Sequence, residues 1–110
     1  MTEENINTEV KELSEFDKKL LEEIKVEHQI STFRKDDSAL LSYIHEGILD
    51  INENNGKETD FDKDLISRRL LKLYVLFADN KQLATFKSYY AGDYAERQRF
   101  YFQEHNTNLQ

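Results

Sequence analysis

The chain has 110 residues, room for one domain but hardly for two independent cores, and 38% hydrophobic residues stand beside 34% charged ones. With 22 acidic residues against 15 basic ones the formal charge is −7, which disfavours a surface that grips phosphates, because such a groove needs a positive field. The absence of Cys removes disulfides, thiolate metal sites and a cysteine nucleophile together.

Met1 is followed by Thr2, Glu3, Glu4 and Asn5, with no basic segment leading into an apolar one, so a signal peptide is not expected. No apolar run approaches the length of a transmembrane helix, and a soluble intracellular product is the expectation. With no Pro and only Gly47, Gly56 and Gly92 as glycines, few residues break helices. An all-α fold follows, a small bundle of about four helices.

Residues 1–12 are polar and acidic around Ile6 and Val10 and read as a flexible arm. Ser14 suits an N-cap, with Asp17 three residues on, and Phe16, Leu20, Leu21 and Ile24 recur at the helical period. A helix over about 14–28 results, with Ile30 and Phe33 expected to tuck the following connection against the core. Asp36 and Asp37 provide carboxylates for the start of a second helix over about 37–53. Its stripe is Leu40, Ile44, Ile48 and Ile51, widened by Leu41 and Leu49, and the Asn-rich run ending in Gly56 stops it.

The segment from Lys57 to Asp64 reads as a polar loop in which Asp62 or Asp64 caps a third helix carrying Leu65, Ile66, Leu70, Leu73, Tyr74 and Phe77. Apolar residues surround almost the whole stretch from Leu70 to Ala78, so this helix faces the core, or the core and a partner at once. The chain turns near Asp79 and Asn80. A long final helix follows, with Leu83, Phe86, Tyr90, Tyr94, Arg97 and Tyr101 in one stripe and a bend or break expected at 91–93, around Gly92. The helical domain thus spans 13–105, and 106–110 is expected as a flexible tail.

Sites with chemistry fail one by one. Asp60, Asp62 and Asp64 alternate as in a calcium loop, but the sixth and twelfth positions hold Leu65 and Leu71 where Gly and a bidentate Glu are needed. His28, His45 and His105 lie in separate elements with no HExxH-type pair, so zinc has no local support. Phosphate-binding glycine loops are absent, and the many carboxylates read as solvated surface. Ser67, Arg68 and Arg69 with Lys72 form the best basic patch and read as solubilising surface. No catalytic residue, cofactor or metal is expected.

The aromatic residues carry more information. Tyr89, Tyr90, Tyr94, Phe100, Tyr101 and Phe102 crowd the last third of the chain. Helical neighbours point about 100° apart, so one face cannot bury all six. Either they wrap a deep core position or some of them pack against another subunit, where Tyr offers apolar area and a hydroxyl together.

Lys35-Asp36-Asp37-Ser38-Ala39-Leu40-Leu41-Ser42-Tyr43-Ile44, the turn near Gly56, the helix ending Leu73-Tyr74-Val75-Leu76-Phe77-Ala78-Asp79-Asn80 and the segment Phe86–Tyr90 together resemble a known family. It is the small head-tail connector proteins of tailed bacteriophages, also called adaptors, DNA-packaging or head-completion proteins. The resemblance spans roughly 14–105; the Pro that begins the third helix in many relatives is replaced here by the acidic Asp60–Asp64 stretch. It implies a non-enzymatic virion protein, present in the host cytoplasm before assembly, that forms a ring of commonly about twelve copies below the portal. Such a ring extends the DNA channel and docks the next head-completion or tail protein, with no membrane partner. On that basis Leu40, Ile44, Ile48, Leu70, Leu73, Tyr74 and Phe77 belong to the scaffold helices, and the last helix and the tail are candidates for gripping the portal. An acidic channel wall would let DNA slide without sequence-specific binding. The competing expectation is a small helical DNA-binding or regulatory protein, such as a terminase accessory subunit, which needs a polar, basic recognition helix after a tight turn.

Overall fold

The computed structural model describes residues 14–28 and 37–109. Every regular element among them is α-helix: α1 Glu15–Glu27, α2 Ser38–Asn55, α3 Leu65–Asp79, α4 Leu83–Tyr89 and α5 Ala91–Leu109. The chain is organised as two compact units, Met1–Lys35 and Asp36–Gln110, a boundary inside the 13–105 stretch expected as one domain. Asp36, Ile30 and Phe33 and the 1–12 arm lie outside the described residues.

In the first unit, Ser14 caps α1 as its sequence suggests, its side chain accepting from the Asp17 N–H at 3.0 Å. Leu20 and Ile24 are fully buried and Asp17 nearly so, which is the apolar stripe with the capping turn added.

In the second unit α2 packs against α3 and α5, α3 against α4, and α4 against α5. Asp37 occupies the N-cap of α2 but makes no side-chain capping hydrogen bond. The reason is its backbone, which lies at φ −89° and ψ 1° instead of the extended conformation that swings a cap side chain beneath the first N–H groups. Leu40, Ile44 and Ile51 are buried and Ile48 half-buried, whereas Leu49 points outward. Gly47 lies in the buried stripe: a Cβ there would stand 2.6 Å from Leu71 Cδ1 and 3.0 Å from Tyr74 Cδ1. Only glycine lets α2 and α3 approach this closely. Gly56, at φ 75°, ends the helix by donating to the Asn52 carbonyl at 2.9 Å.

The loop after α2 is not wholly polar in its role. Phe61 is buried within it, and Thr59 is pinned by its N–H to Asn52 Oδ1 at 2.8 Å and by Asn55 Nδ2 to its hydroxyl at 2.9 Å. Asp64, rather than Asp62, caps α3. Leu70, Leu71, Tyr74, Val75 and Ala78 form the buried face of this helix, and Leu73 and Phe77 pack partly buried beside it.

The turn after Asp79 is closed by Lys81 at φ 59°, whose N–H donates to Ala78 O at 3.0 Å, and by Gln82 N–H to Phe77 O at 2.8 Å. Where one long bent helix was expected, two helices meet at Tyr90, with φ −108° and ψ 18°. The break comes two residues before Gly92, which is itself helical, because the Tyr90 ring is drawn into the core against Phe77 and Phe86. Beyond Phe102 the helix continues to Leu109, through residues read as a flexible tail. Phe86 is the centre of this core: the rings of Tyr74, Phe77, Tyr90 and Tyr94 stand 5.2–5.8 Å from its own, each contact worth about 0.5–1.5 kcal/mol beyond the area it buries.

Candidate interaction surface

Two carboxylates fasten α5 to the rest of the second unit. Asp64 accepts from the Ser67 N–H at 3.0 Å, the Ser67 hydroxyl at 2.6 Å, the Tyr101 hydroxyl at 2.6 Å and Arg97 Nη1 at 3.3 Å. The Asp64 and Arg97 side chains are only 10% and 13% exposed, so their attraction is little screened. Burial alone would raise the Asp64 pKa, but the hydrogen bonds from Ser67 and Tyr101 and the charge of Arg97 outweigh it and hold the carboxyl below the usual 3.8. The Arg97 guanidinium also stacks 4.6 Å over the Phe100 ring.

On the opposite side Asp50 accepts from the Tyr94 hydroxyl at 2.8 Å and pairs with Lys87, whose ammonium lies 4.6 Å from the centre of the Tyr94 ring. Asn54 adds a bond from Nδ2 to the Tyr94 carbonyl at 2.9 Å. Burial, then the nearby carboxylates, push the hydroxyls of Tyr94 and Tyr101 well above the ordinary tyrosine value of 10.0, and Tyr74 moves the same way.

These contacts divide the six aromatic residues singled out from the sequence. Tyr90 and Tyr94 are half-buried around Phe86, and Tyr101 is buried against Asp64. Tyr89, Phe100 and Phe102 project outward. Leu65 and Ile66, read from the sequence among the apolar residues of α3, join the outward set at 67% and 54% exposure. The position that continues the buried stripe backwards is Ser67, which is fully buried and four residues before Leu71. That spacing was legible; the apolar character of Leu65 and Ile66 masked it.

Between the start of α3 and the outer flank of α5 lies an open groove of about 560 Å³, with Leu65, Ile66, Phe100 and Tyr101 among its walls. Across α5 a second hollow of about 300 Å³ opens beside Phe102 and the end of α2. The Asp60–Asp64 stretch is engaged in backbone capping: Asp60 Oδ1 accepts from the Asp62 N–H at 3.1 Å, and Asp64 is committed as above. Among the described residues no group of three or more His, Cys, Asp or Glu side chains could hold a metal ion, and no helix is long and apolar enough to cross a membrane. Of the basic patch, Ser67 is buried, Arg68 Nη1 reaches the Phe61 carbonyl at 3.2 Å and Asp62 at 3.4 Å, Lys72 is half-buried and Arg69 is exposed.

No family model, no curated protein and no solved structure matches this chain.

Proposed function

We propose that the chain is a structural subunit without chemistry of its own, a head-tail connector protein of a tailed bacteriophage. In this reading copies assemble as a ring on the portal protein, extend the DNA channel and present a docking surface to the next head-completion or tail protein. The observation that carries the reading is apolar surface beyond what the core uses. Tyr89, Phe100 and Phe102, with Leu65 and Ile66, stand outward on helices whose inner faces are already filled, and Leu65, Ile66 and Phe100 share one groove, as a docking surface for a further protein would. The paired-Asp helix start and the apolar third helix of the resemblance supply the scaffold, α2 and α3. DNA then passes without sequence-specific contact, in keeping with the charge of −7 and the engagement of Arg68 inside its own loop.

Native mass spectrometry of the full chain, alone and mixed with the portal protein of the phage that encodes it, tests the proposal. A ring on the portal is expected, whether or not the free chain is monomeric. A chain that never associates with the portal ring refutes it, and salt-dependent binding to duplex DNA at micromolar affinity would promote the regulatory alternative.

A further inference from the structure

We infer that the groove between the start of α3 and the outer flank of α5 receives a basic amphipathic helix from another protein. The inference goes beyond the connector reading and stands without it.

The floor of the groove is apolar and turned to solvent, with Leu65, Ile66 and Phe100 at 67%, 54% and 48% exposure. It is also held in place before anything binds. Asp64 locks Ser67, Arg97 and Tyr101 together, and Arg97 stacks on Phe100. A surface already ordered loses little entropy on association. A groove walled by the start of one helix and the flank of another is the kind of site that takes the apolar face of a helix.

The rim decides the sign of the partner. Asp64 and Arg97 neutralise one another within the wall. Of the remaining charged groups, Glu58, Asp60 and Glu104 line the main groove, and Asp93 and Glu96 line its continuation past Ile66. None of these five carboxylates is paired with a cation among the described residues. Lys57, Lys63 and Arg69 oppose them, so acid is in excess locally as it is in the whole chain, at −7. A second copy meeting the groove with the same groove would bring a like rim, and by any other face it would still bring a net charge of −7 against an acidic rim, which disfavours that pairing. A helix with Leu or Phe along one stripe and Lys or Arg on its flanks matches both the floor and the rim.

The test uses the full chain, isotope-labelled, titrated with a synthetic amphipathic Leu/Lys peptide and with its Leu/Glu counterpart. Amide shifts are expected to concentrate at residues 64–69 and 93–104 with the Leu/Lys peptide and to be absent with the Leu/Glu peptide. Ile66→Ser and, separately, Phe100→Ser are expected to weaken binding about tenfold, and Glu96→Gln with Glu104→Gln to flatten its salt dependence. Both apolar positions are exposed, so each variant is checked for an unchanged circular dichroism spectrum and one suffices if the other misfolds. Shifts scattered over the whole acidic surface, with affinity unmoved by the serine variants, overturn the inference. So does equal binding of the Leu/Glu peptide, or a concentration-dependent shift of the same residues without any peptide, which would make a second copy the occupant. Assembly on the portal is scored in a separate experiment, so either proposal can fail alone.

Discussion

The two glycines that lie inside helices of the second unit should respond to the same substitution with opposite signs. Replacing a helical Gly by Ala stabilises the helix by roughly 0.5–1 kcal/mol through reduced freedom of the unfolded chain. At Gly92 nothing lies within 4 Å of the new Cβ, so only that gain remains, trimmed by its place near the start of α5. At Gly47 the new Cβ arrives 2.6 Å from Leu71 Cδ1 and 3.0 Å from the Tyr74 ring. Leu71 is fully buried and Tyr74 nearly so, so neither can swing into solvent, and α2 and α3 must part. Overpacking of this kind costs about 1–3 kcal/mol, leaving Gly47→Ala destabilised by up to roughly 2.5 kcal/mol once the helix gain is subtracted. Urea unfolding followed by helical circular dichroism reads both variants as midpoint shifts at constant slope. Should Gly47→Ala raise the midpoint as Gly92→Ala does, the close approach of α2 and α3 at this point would be refuted.

Other outcomes follow from the same contacts. Asp64→Ala removes the cap of α3 and leaves Arg97 and the Tyr101 hydroxyl without their buried acceptor, so a loss of roughly 3 kcal/mol is expected in the same unfolding assay. Because the folded Asp64 pKa is depressed below 3.8, its contribution is present above that value and disappears as pH falls through the folded pKa. Acid unfolding of Asp64→Asn should accordingly lack a component that the parent shows below about pH 4. Tyr74, Tyr94 and Tyr101 have hydroxyls raised above 10.0, so their neutral forms stabilise the fold below pH 10 and that stability fades as pH climbs beyond it. Ultraviolet difference titration should show these tyrosines ionising late and together with unfolding, and a single normal step for all six would contradict the packing. Leu71→Ala should cost about 2–5 kcal/mol as a buried truncation, whereas Leu65→Ser, on the outward side of the same helix, should lie within about 0.5 kcal/mol of the parent.

Helix positions were legible in the sequence because the period of the apolar residues is a local property. The stripes through Leu20 and Ile24, through Leu40, Ile44 and Ile51, and through Phe86, Tyr94 and Tyr101 all turn inward. What escaped depended on partners distant along the chain. Leu65 and Ile66 are as apolar as Leu70 and Leu71, and only the register set by Ser67, Leu71, Tyr74 and Ala78 separates outward from inward. Asp64 could be read as a cap from Leu65 onward, but its bonds to Arg97 and Tyr101 span more than thirty residues. No local pattern encodes such a meeting. In the sequence Gly47 is only one of three glycines, and its fit comes from Leu71, which stands opposite it on α3. The break at Tyr90 was displaced from the expected glycine because a ring seeking the Phe86 cluster outweighed backbone propensity.

The fastening of α5 also sets the bearing of everything it displays. Tyr90 and Tyr94 index the helix to the aromatic centre, and Arg97 and Tyr101 index it again to Asp64, so its rotation about its own axis is fixed at two successive places. Phe100 and Phe102 therefore leave the surface on opposite flanks at an angle the core dictates. Adding or deleting one residue between Tyr94 and Arg97 would turn the distal half by about 100°, carrying both rings to new bearings and stranding Asp64. A partner that reads these side chains meets a dial already set, and sequence drift on the outer face can change what is shown there without changing where it points.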